Sequence, residues 1–417
     1  MSGYLDTPWP AEDGGPARLQ VPRGGAGQGG AGLGLRPEER LTATAVTRVM
    51  STMTVLGEPG EVYLLTHSAL RARVGLPTSC RVSLIDPVSL ASAAKSPRLP
   101  GGPMWPGGMA LHANGDLYVV YGRWAHRLGR DCSLKESVQL PIDLPYNSFV
   151  VLDNGLIVTK NISDSRPARL SVLSPDPLGF ACADIECPEP AIARLSAVGN
   201  TLYVVGVRSI FRFDWDEAEQ TLVRDADWRF DYATGTAQTY GWDVVLGLGN
   251  AWFMDNGKHR YVRSMIGRGV SPTANRLIRV KLTDSKDFDA VEVSGIAGGT
   301  ITNPPLVDEA RRIVVGYDSA NRVMRAWLFD GGLRHLWRKN DFGAASHMIC
   351  LPDTGEIVTN DFGRGGEHVV VLDIETGAEK GRARIGGFTQ GVVFPSPGWS
   401  RDIYFSAMSR FGRVYVG

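Results

Sequence analysis

The sequence predicts an all-β fold built from repeated antiparallel units, and three observations carry that expectation. One pattern recurs from about residue 42: a short apolar strand, a turn with Gly, Asn or Asp, a second strand rich in β-branched residues, a polar loop, and a third strand. The turns fall near Gly60, Gly115, Gly155, Asn200, Asn250, Arg311, Gly355 and Ser400. Their steps of about 40 to 60 residues match one four-stranded blade of a β-propeller. Helical periodicity is almost absent, which argues against α/β layering. Each strand pair leaves apolar side chains on both faces, and only a neighbouring unit can cover them.

Taken in order, residues 1–40 stand apart as a Gly/Pro-rich arm, expected to be disordered. Gly24 to Gly34 reads GGAGQGGAGLG, too poor in side chains to repay the entropy of ordering it. Gly25, Gly27 and Gly30 spell a formal G-x-G-x-x-G. They lack the strand before and the helix after that a dinucleotide site needs, so no NAD is expected.

Residues 41–417 read as a single propeller domain. A weak first unit holds GEPGEVYLLTH and RVSLIDP. MALHANGDLYVVYGRWAHRLG from Met109 is the clearest copy, followed by FVVLDNGLIVTKN from Phe149 with ARLSVLS from Ala168. Further copies begin at Leu195, Val244, Pro305 and Met348, and VVFPSPGWSRDIYFSAMSRFGRVYVG closes the chain. That makes eight units. The last ends at its third strand, Arg413 to Val416, and the strand-like stretch Leu41 to Met50 supplies the fourth and closes the ring. A seven-bladed ring with an irregular first unit is the alternative.

Composition narrows the function. The 44 basic and 44 acidic residues cancel, which gives no overall field to draw in nucleic acid or an anionic membrane. No apolar run approaches the length of a membrane span, and the N-terminus lacks the pattern of a signal peptide. Five cysteines without a C-x-x-C pair fit a reducing, cytoplasmic setting. Cys182 and Cys187 are near enough in sequence for a disulfide, but free thiols are the preferred reading. The basic residues are mostly arginine, as in GC-rich bacterial genomes.

The hairpin L-x-x-x-G-x-[LI]-[YV]-V followed by V-x-x-L-D-x-x-T-G, seen at Val369 to Gly377, resembles the YVTN and quinoprotein-like propellers. The resemblance covers most of residues 45–417 and implies fold rather than function. The tryptophan-docking motifs of quinoprotein dehydrogenases are not recognisable, and C-x-x-C-H haem attachment is absent.

In propellers of this kind, the loops into each innermost strand and those after each second strand share one face around the axis. The resemblance therefore supplies candidate positions. Trp105, Tyr146, Asn147, Arg194, Trp242, Asn303 and Gln390 lie at strand starts and are expected to bind substrate. His347 and Asp243 are the acid–base candidates: an imidazole can shuttle a proton and a carboxylate can orient it. Tyr240 is placed to donate to an oxyanion. After the second strands come Asp255, Asp318, Asp361 and Asn161, hard oxygen ligands suited to Ca²⁺ or Mg²⁺. This set is similar to that of the gluconolactonase-type (SMP-30-like) propellers, which hold a divalent metal. That family's glutamate on an innermost strand has no counterpart here. The alternative reading of the same residues is ordinary turn chemistry.

Residues 257–276 form a long basic insertion that either covers a central pocket or binds an anion. No G-x-S-x-G or H-E-x-x-H motif is present. The expected function is a small-molecule enzyme working at the propeller axis, by lactone hydrolysis or a lyase or isomerase step. A non-catalytic scaffold for a protein partner is the alternative, and a quinone-dependent dehydrogenase the third reading.

Overall fold

The computed structural model describes residues 3–23, 32–102 and 107–417. Each unit read from the sequence is an antiparallel sheet. Six sheets hold one unit each, with innermost strands Gly108–Leu111, Tyr146–Val151, Ser196–Val198, Val245–Gly247, Leu306–Asp308 and Ile349–Leu351. The remaining sheet is two units joined through the strand Leu41–Leu56. Its first half pairs with Met408–Val416, from Leu41 opposite Val416 to Thr47 opposite Arg410. Its second half pairs with Val62–His67, from Ser51 opposite Thr66 to Leu56 opposite Val62. The described chain thus forms eight blades, numbered 1 to 8 from residue 51, and one strand is outermost in blade 8 and innermost in blade 1. The sequence supplied this closure because the last unit was one strand short.

Local chemistry explains the blades. In blades 2 and 3 the first two strands are joined at Asn114–Gly115 and Asn154–Gly155. Both glycines adopt a left-handed backbone, with φ of 88° and 86°, which a side chain would strain. Innermost and second strands are mostly buried, some along their whole length, as in Leu117–Tyr121 and Asn250–Met254. Outer strands such as Asp284–Glu292 alternate exposed and half-buried positions, since only one face meets a neighbour. The core consists of apolar layers between blades; Trp252, Val315 and Trp327 belong to one of them. All five cysteines are free. No helix among the described residues is long and apolar enough to cross a membrane.

The expectation of a disordered arm fails for residues 3–23. Trp9, Arg18 and Gln20 are fully buried. The arm runs round the inside of the ring and is held by the innermost strands in blade order. Leu56 N donates to Trp9 O in blade 1, Leu111 N to Pro10 O in blade 2, and Val151 N to the Tyr4 hydroxyl in blade 3. Ala197 N then donates to Pro16 O, Leu246 N to Ala17 O, and Cys350 N to Gln20 O in blades 4, 5 and 7. Between the last two, Gln20 Nε2 donates to Pro305 O of blade 6 at 2.7 Å. Pro8, Pro10 and Pro16 keep the segment extended and irregular, so it carries no periodicity to announce its burial. The glycine run at 24–31, including the G-x-G-x-x-G glycines 25, 27 and 30, lies outside the described residues. Beyond it, the amides of Leu33, Gly34 and Leu35 all donate to the Glu356 carboxylate and seat the chain before it enters the ring strand.

Candidate functional site

The arm carries charge into the bore. Arg18 is the hub: its Nη1 donates to Asp13 Oδ2 at 2.8 Å, its Nη2 to Glu12 Oε1 at 2.7 Å and Ser148 Oγ at 3.0 Å, and its Nε to Leu195 O at 2.8 Å. Ser148 Oγ also donates to Glu12 in a short bond. The other carboxylate oxygen of Asp13 accepts from His347 Nδ1 at 2.8 Å. A carboxylate can only accept, so the imidazole proton sits on Nδ1 and Nε2 is the basic nitrogen. Arg194 Nη1 and backbone N donate to Asp243 at 2.9 and 2.7 Å, and its Nε lies 3.6 Å from Glu12 Oε2. Phe394 joins the two sides: its ring stacks on His347 with centroids 3.9 Å apart, and the Arg194 guanidinium lies 4.4 Å from it.

The structure therefore brings three predicted residues together, His347, Asp243 and Arg194, and adds Glu12, Asp13 and Arg18, which sequence reading missed. All six are buried. Burial pushes the Glu12 carboxyl up to about 7, against Arg18 and Arg194. Asp13 moves the other way: burial opposes ionisation, but His347 and Arg18 hold it below the usual carboxylate range. Arg194 and Arg18 likewise keep Asp243 low in spite of its burial. Burial lowers His347 despite Asp13, so the imidazole is neutral near pH 7. Three atoms of the cluster make no hydrogen bond although buried: His347 Nε2, Arg194 Nε and Glu12 Oε2. Asp13, Arg18 and Gln20 also hold left-handed backbones, with φ of 57°, 54° and 60°. Such strain persists only where surrounding contacts impose it.

The other expected residues serve elsewhere. Tyr240 is half-buried and its charged neighbour is Asp164, so it does not join His347. Trp242 Nε1 donates to Gly257 O at 3.0 Å. Tyr146 is fully buried among apolar residues of blades 2 and 3. Asn303 Nδ2 donates to Ala345 O at 2.5 Å, tying blade 6 to blade 7. Trp105 lies outside the described residues, as does the side chain of Asn147.

The expected metal ligands are not brought together. Asp255 accepts from Arg276 N and Nε, both at 2.7 Å. Asp318 accepts from Ser294, Thr300, Ala320 and Asn321. Asp361 meets Gly343 N and Arg382, and Asn161 Oδ1 accepts from Arg169 N. Each is saturated by donors near its own blade, which is the turn-chemistry alternative. No group of three or more His, Cys, Asp or Glu side chains among the described residues is placed to hold an ion. Protein purified without chelator is expected to melt at one temperature with and without EDTA. A fall on adding EDTA would restore the axial oxygen site.

No protein-family model matches the sequence, and no curated protein matches it. Solved structures do. Apo AztD from Citrobacter koseri aligns with a TM-score of 0.51 at 12% identity, over 86% of this chain and 98% of that one. Kluyveromyces lactis Hsv2 aligns with a TM-score of 0.50 at 10% identity, over 81% of this chain and all of that one. A catalytically inactive virginiamycin B lyase from Staphylococcus aureus aligns with a TM-score of 0.48 at 11% identity, over 90% and 99% of the two chains. The closed ring, with the AztD and Hsv2 structures beside it, decides the architecture. The chain is a β-propeller. At such identities the likeness extends to fold alone.

The upper face of the propeller comprises the loops into innermost strands and those after second strands. Here the basic insertion 257–276 bridges blades 5, 6 and 8. Gly267 N donates to Ala320 O, Arg263 Nε to Phe388 O, and the Tyr261 hydroxyl to Gln390 O. Gln390, expected to bind substrate, anchors this bridge: its Oε1 accepts from Met265 N and its Nε2 donates to Gly343 O, each at 2.7 Å.

Close by lies Glu367, a fully buried carboxyl held by Asn360 Nδ2 and the amide of Gly391 with no cation beside it. Burial pushes it up to about 8. The folded chain then keeps a proton that the unfolded chain loses above about pH 4.5, so stability falls as pH rises toward 8. His67 and His126, both held down to about 4 by burial, act in the opposite sense, but only up to about pH 6.5. Glu12, pushed up to about 7, adds to the fall and Lys160, held down to about 8 by burial, offsets part of it, so the unfolding free energy is expected to fall by about 2 kcal/mol between pH 6.5 and 8. Glu367→Gln should remove most of that fall above pH 7, as read by denaturant midpoints across the range; an unchanged slope would mean the carboxyl is already ionised.

Proposed function

We propose that this propeller is an enzyme performing acid–base chemistry on a small organic molecule at the axial cluster. One observation carries the reading. A basic nitrogen, a guanidinium N–H and a carboxylate oxygen, His347 Nε2, Arg194 Nε and Glu12 Oε2, are buried in one cluster and make no hydrogen bond. Arg194 Nε and Glu12 Oε2 face each other as an ion pair at 3.6 Å, longer than a hydrogen bond, and burying His347 Nε2 without a protein partner costs on the order of 1–3 kcal/mol. The neighbouring carboxyls Glu12 and Asp13, pushed in opposite directions, supply the other mark of a proton-transfer site. In this reading His347 starts neutral and Glu12 protonated. His347 Nε2 takes a proton from substrate or water, Asp13 fixes the imidazole through Nδ1, and Arg194 Nε holds a developing oxyanion. Glu12 donates its own proton to the product, and exchange with solvent carries the proton from His347 back to Glu12. Asp243 positions Arg194. Lactone opening and lyase or isomerase steps α to a carbonyl both need this set of roles.

The test is a screen of lactones and small hydroxy acids with wild type, His347→Ala and Glu12→Gln in parallel. Turnover that falls by about 10²-fold or more in both variants supports the reading. Turnover retained in both, or absent from the wild type across the screen, overturns it. A scaffold role is the second reading, favoured by one observation: residues 3–23 fill the bore that a substrate would use. Under it the two substitutions alter stability and nothing else.

A further inference from the structure

Zero net charge conceals a separation of charge between the two faces. On the upper face, exposed bases stand on the blade 1 insertion (Arg71, Arg73) and on the bridge (Lys258, Arg260, Arg263, Arg268). Arg166, Arg208 and Arg364 add to them from other loops, and the exposed acids there include Asp143, Asp164 and Asp341, with Asp231 and Glu292 at the upper ends of outer strands. The opposite face, made of hairpin turns, is acidic, with Glu58, Asp86, Asp131, Asp153, Glu217 and Glu375 among its exposed residues. The exposed bases Arg36, Arg40, Arg312 and Arg401 do not offset them.

Exposed aliphatic and aromatic side chains divide the same way. Leu70, Val74 and Leu76 are 47%, 71% and 49% exposed on the short insertion after the second strand of blade 1. Val262, Val270, Ile296 and Phe388, on the bridge and on the loops into blades 6 and 8, are 67%, 40%, 46% and 66% exposed. The turns of the acidic face offer only Val88 and Val198 among the exposed large hydrophobics described. The apolar residues also have basic neighbours in sequence: Leu70 precedes Arg71, Val74 follows Arg73, and Val262 precedes Arg263.

We propose that the upper face docks on an anionic lipid bilayer, its apolar loop tips entering the headgroup–acyl boundary while the adjacent bases meet lipid phosphates. The charge is complementary, and the acidic face would point away from the surface. Geometry selects a bilayer over a protein segment. The exposed apolar tips are spread round the eight-membered ring, on blade 1, at the junction of blades 5 and 6 and on the loop into blade 8, a span that suits a broad surface better than one bound segment. This inference stands apart from the catalytic reading, since none of its residues belongs to the axial cluster.

The test is co-sedimentation of the full chain with phosphatidylcholine vesicles and with equimolar phosphatidylcholine–phosphatidylglycerol vesicles. The expected result is binding to the anionic vesicles at least about tenfold stronger, weakening as salt is raised. Leu70→Ser with Val74→Ser, and separately Arg71→Glu with Arg73→Glu, should each cut it by about tenfold or more without changing the melting temperature. Protein left in the supernatant with anionic vesicles overturns the proposal. Retention on immobilised polyglutamate without vesicle binding overturns it in favour of an acidic protein partner, and binding that survives the double serine variant overturns the insertion of apolar tips.

Discussion

Arg18→Ala is expected to lower the free energy of unfolding by about 3–5 kcal/mol, read as a shift in the denaturant midpoint. The guanidinium is 1% exposed and meets Glu12, Asp13, Ser148 and the Leu195 carbonyl at once. Removing it leaves two neighbouring carboxyls in the bore with His347, Arg194 and the Ser148 hydroxyl as their remaining partners among the described residues. The loss comes from stranded charge rather than lost contact area, so Glu12→Gln added to Arg18→Ala should recover part of it. A shift of under about 1 kcal/mol would place the cluster in water-like surroundings, where ion pairs are worth that little.

A larger effect is expected at the ring closure. Removing residues 408–417 deletes the partner of Leu41–Thr47 and leaves blade 8 with two strands. Asp402–Ser406 and Leu41–Thr47 would then present unpaired backbone, and the faces of blades 7 and 1 turned toward blade 8 would lose apolar cover. The truncated chain is expected to lose its cooperative unfolding transition and to elute as an expanded or self-associated species. The converse change pins the closure. Thr42 and Tyr415 sit directly opposite each other, so Thr42→Cys with Tyr415→Cys, once oxidised, should raise stability by about 2–4 kcal/mol. A folded, monomeric truncation product with an unchanged midpoint would show that seven blades close without the eighth.

The ring was legible in the sequence because each blade repeats a strand, a turn and a strand whose residues have strict local reasons, such as the left-handed Gly115 and Gly155. The closing strand was legible because the count of strands came out one short at the end. His347, Asp243 and Arg194 could be found from their place at strand starts. Their partners could not. Glu12, Asp13 and Arg18 lie in a segment with no periodicity, next to a glycine run whose composition speaks for disorder, and their burial depends on the shape of a bore that no local pattern encodes. One signal was present: residues 4–23 contain Tyr4, Trp9 and the charged trio, a composition richer than a linker needs. The oxygen-rich positions Asp255, Asp318 and Asp361 misled for the opposite reason. Strand ends repeat around a ring, so turn caps repeat too and imitate a ligand set.

The path of the arm also bears on how the molecule is made. Residues 3–23 precede every blade along the chain, yet Gln20 takes hydrogen bonds from Met348 and Cys350. Thr42 must wait for Tyr415. The arm therefore stays unsatisfied until the strand Ile349–Leu351 is in place, and its charges are sealed in only once Leu41–Thr47 has paired with Met408–Val416. Blades 2 to 7 can form one after another as they emerge, because their pairing is local. The bore thus comes into being in a late step, once segments more than 300 residues apart along the chain have met.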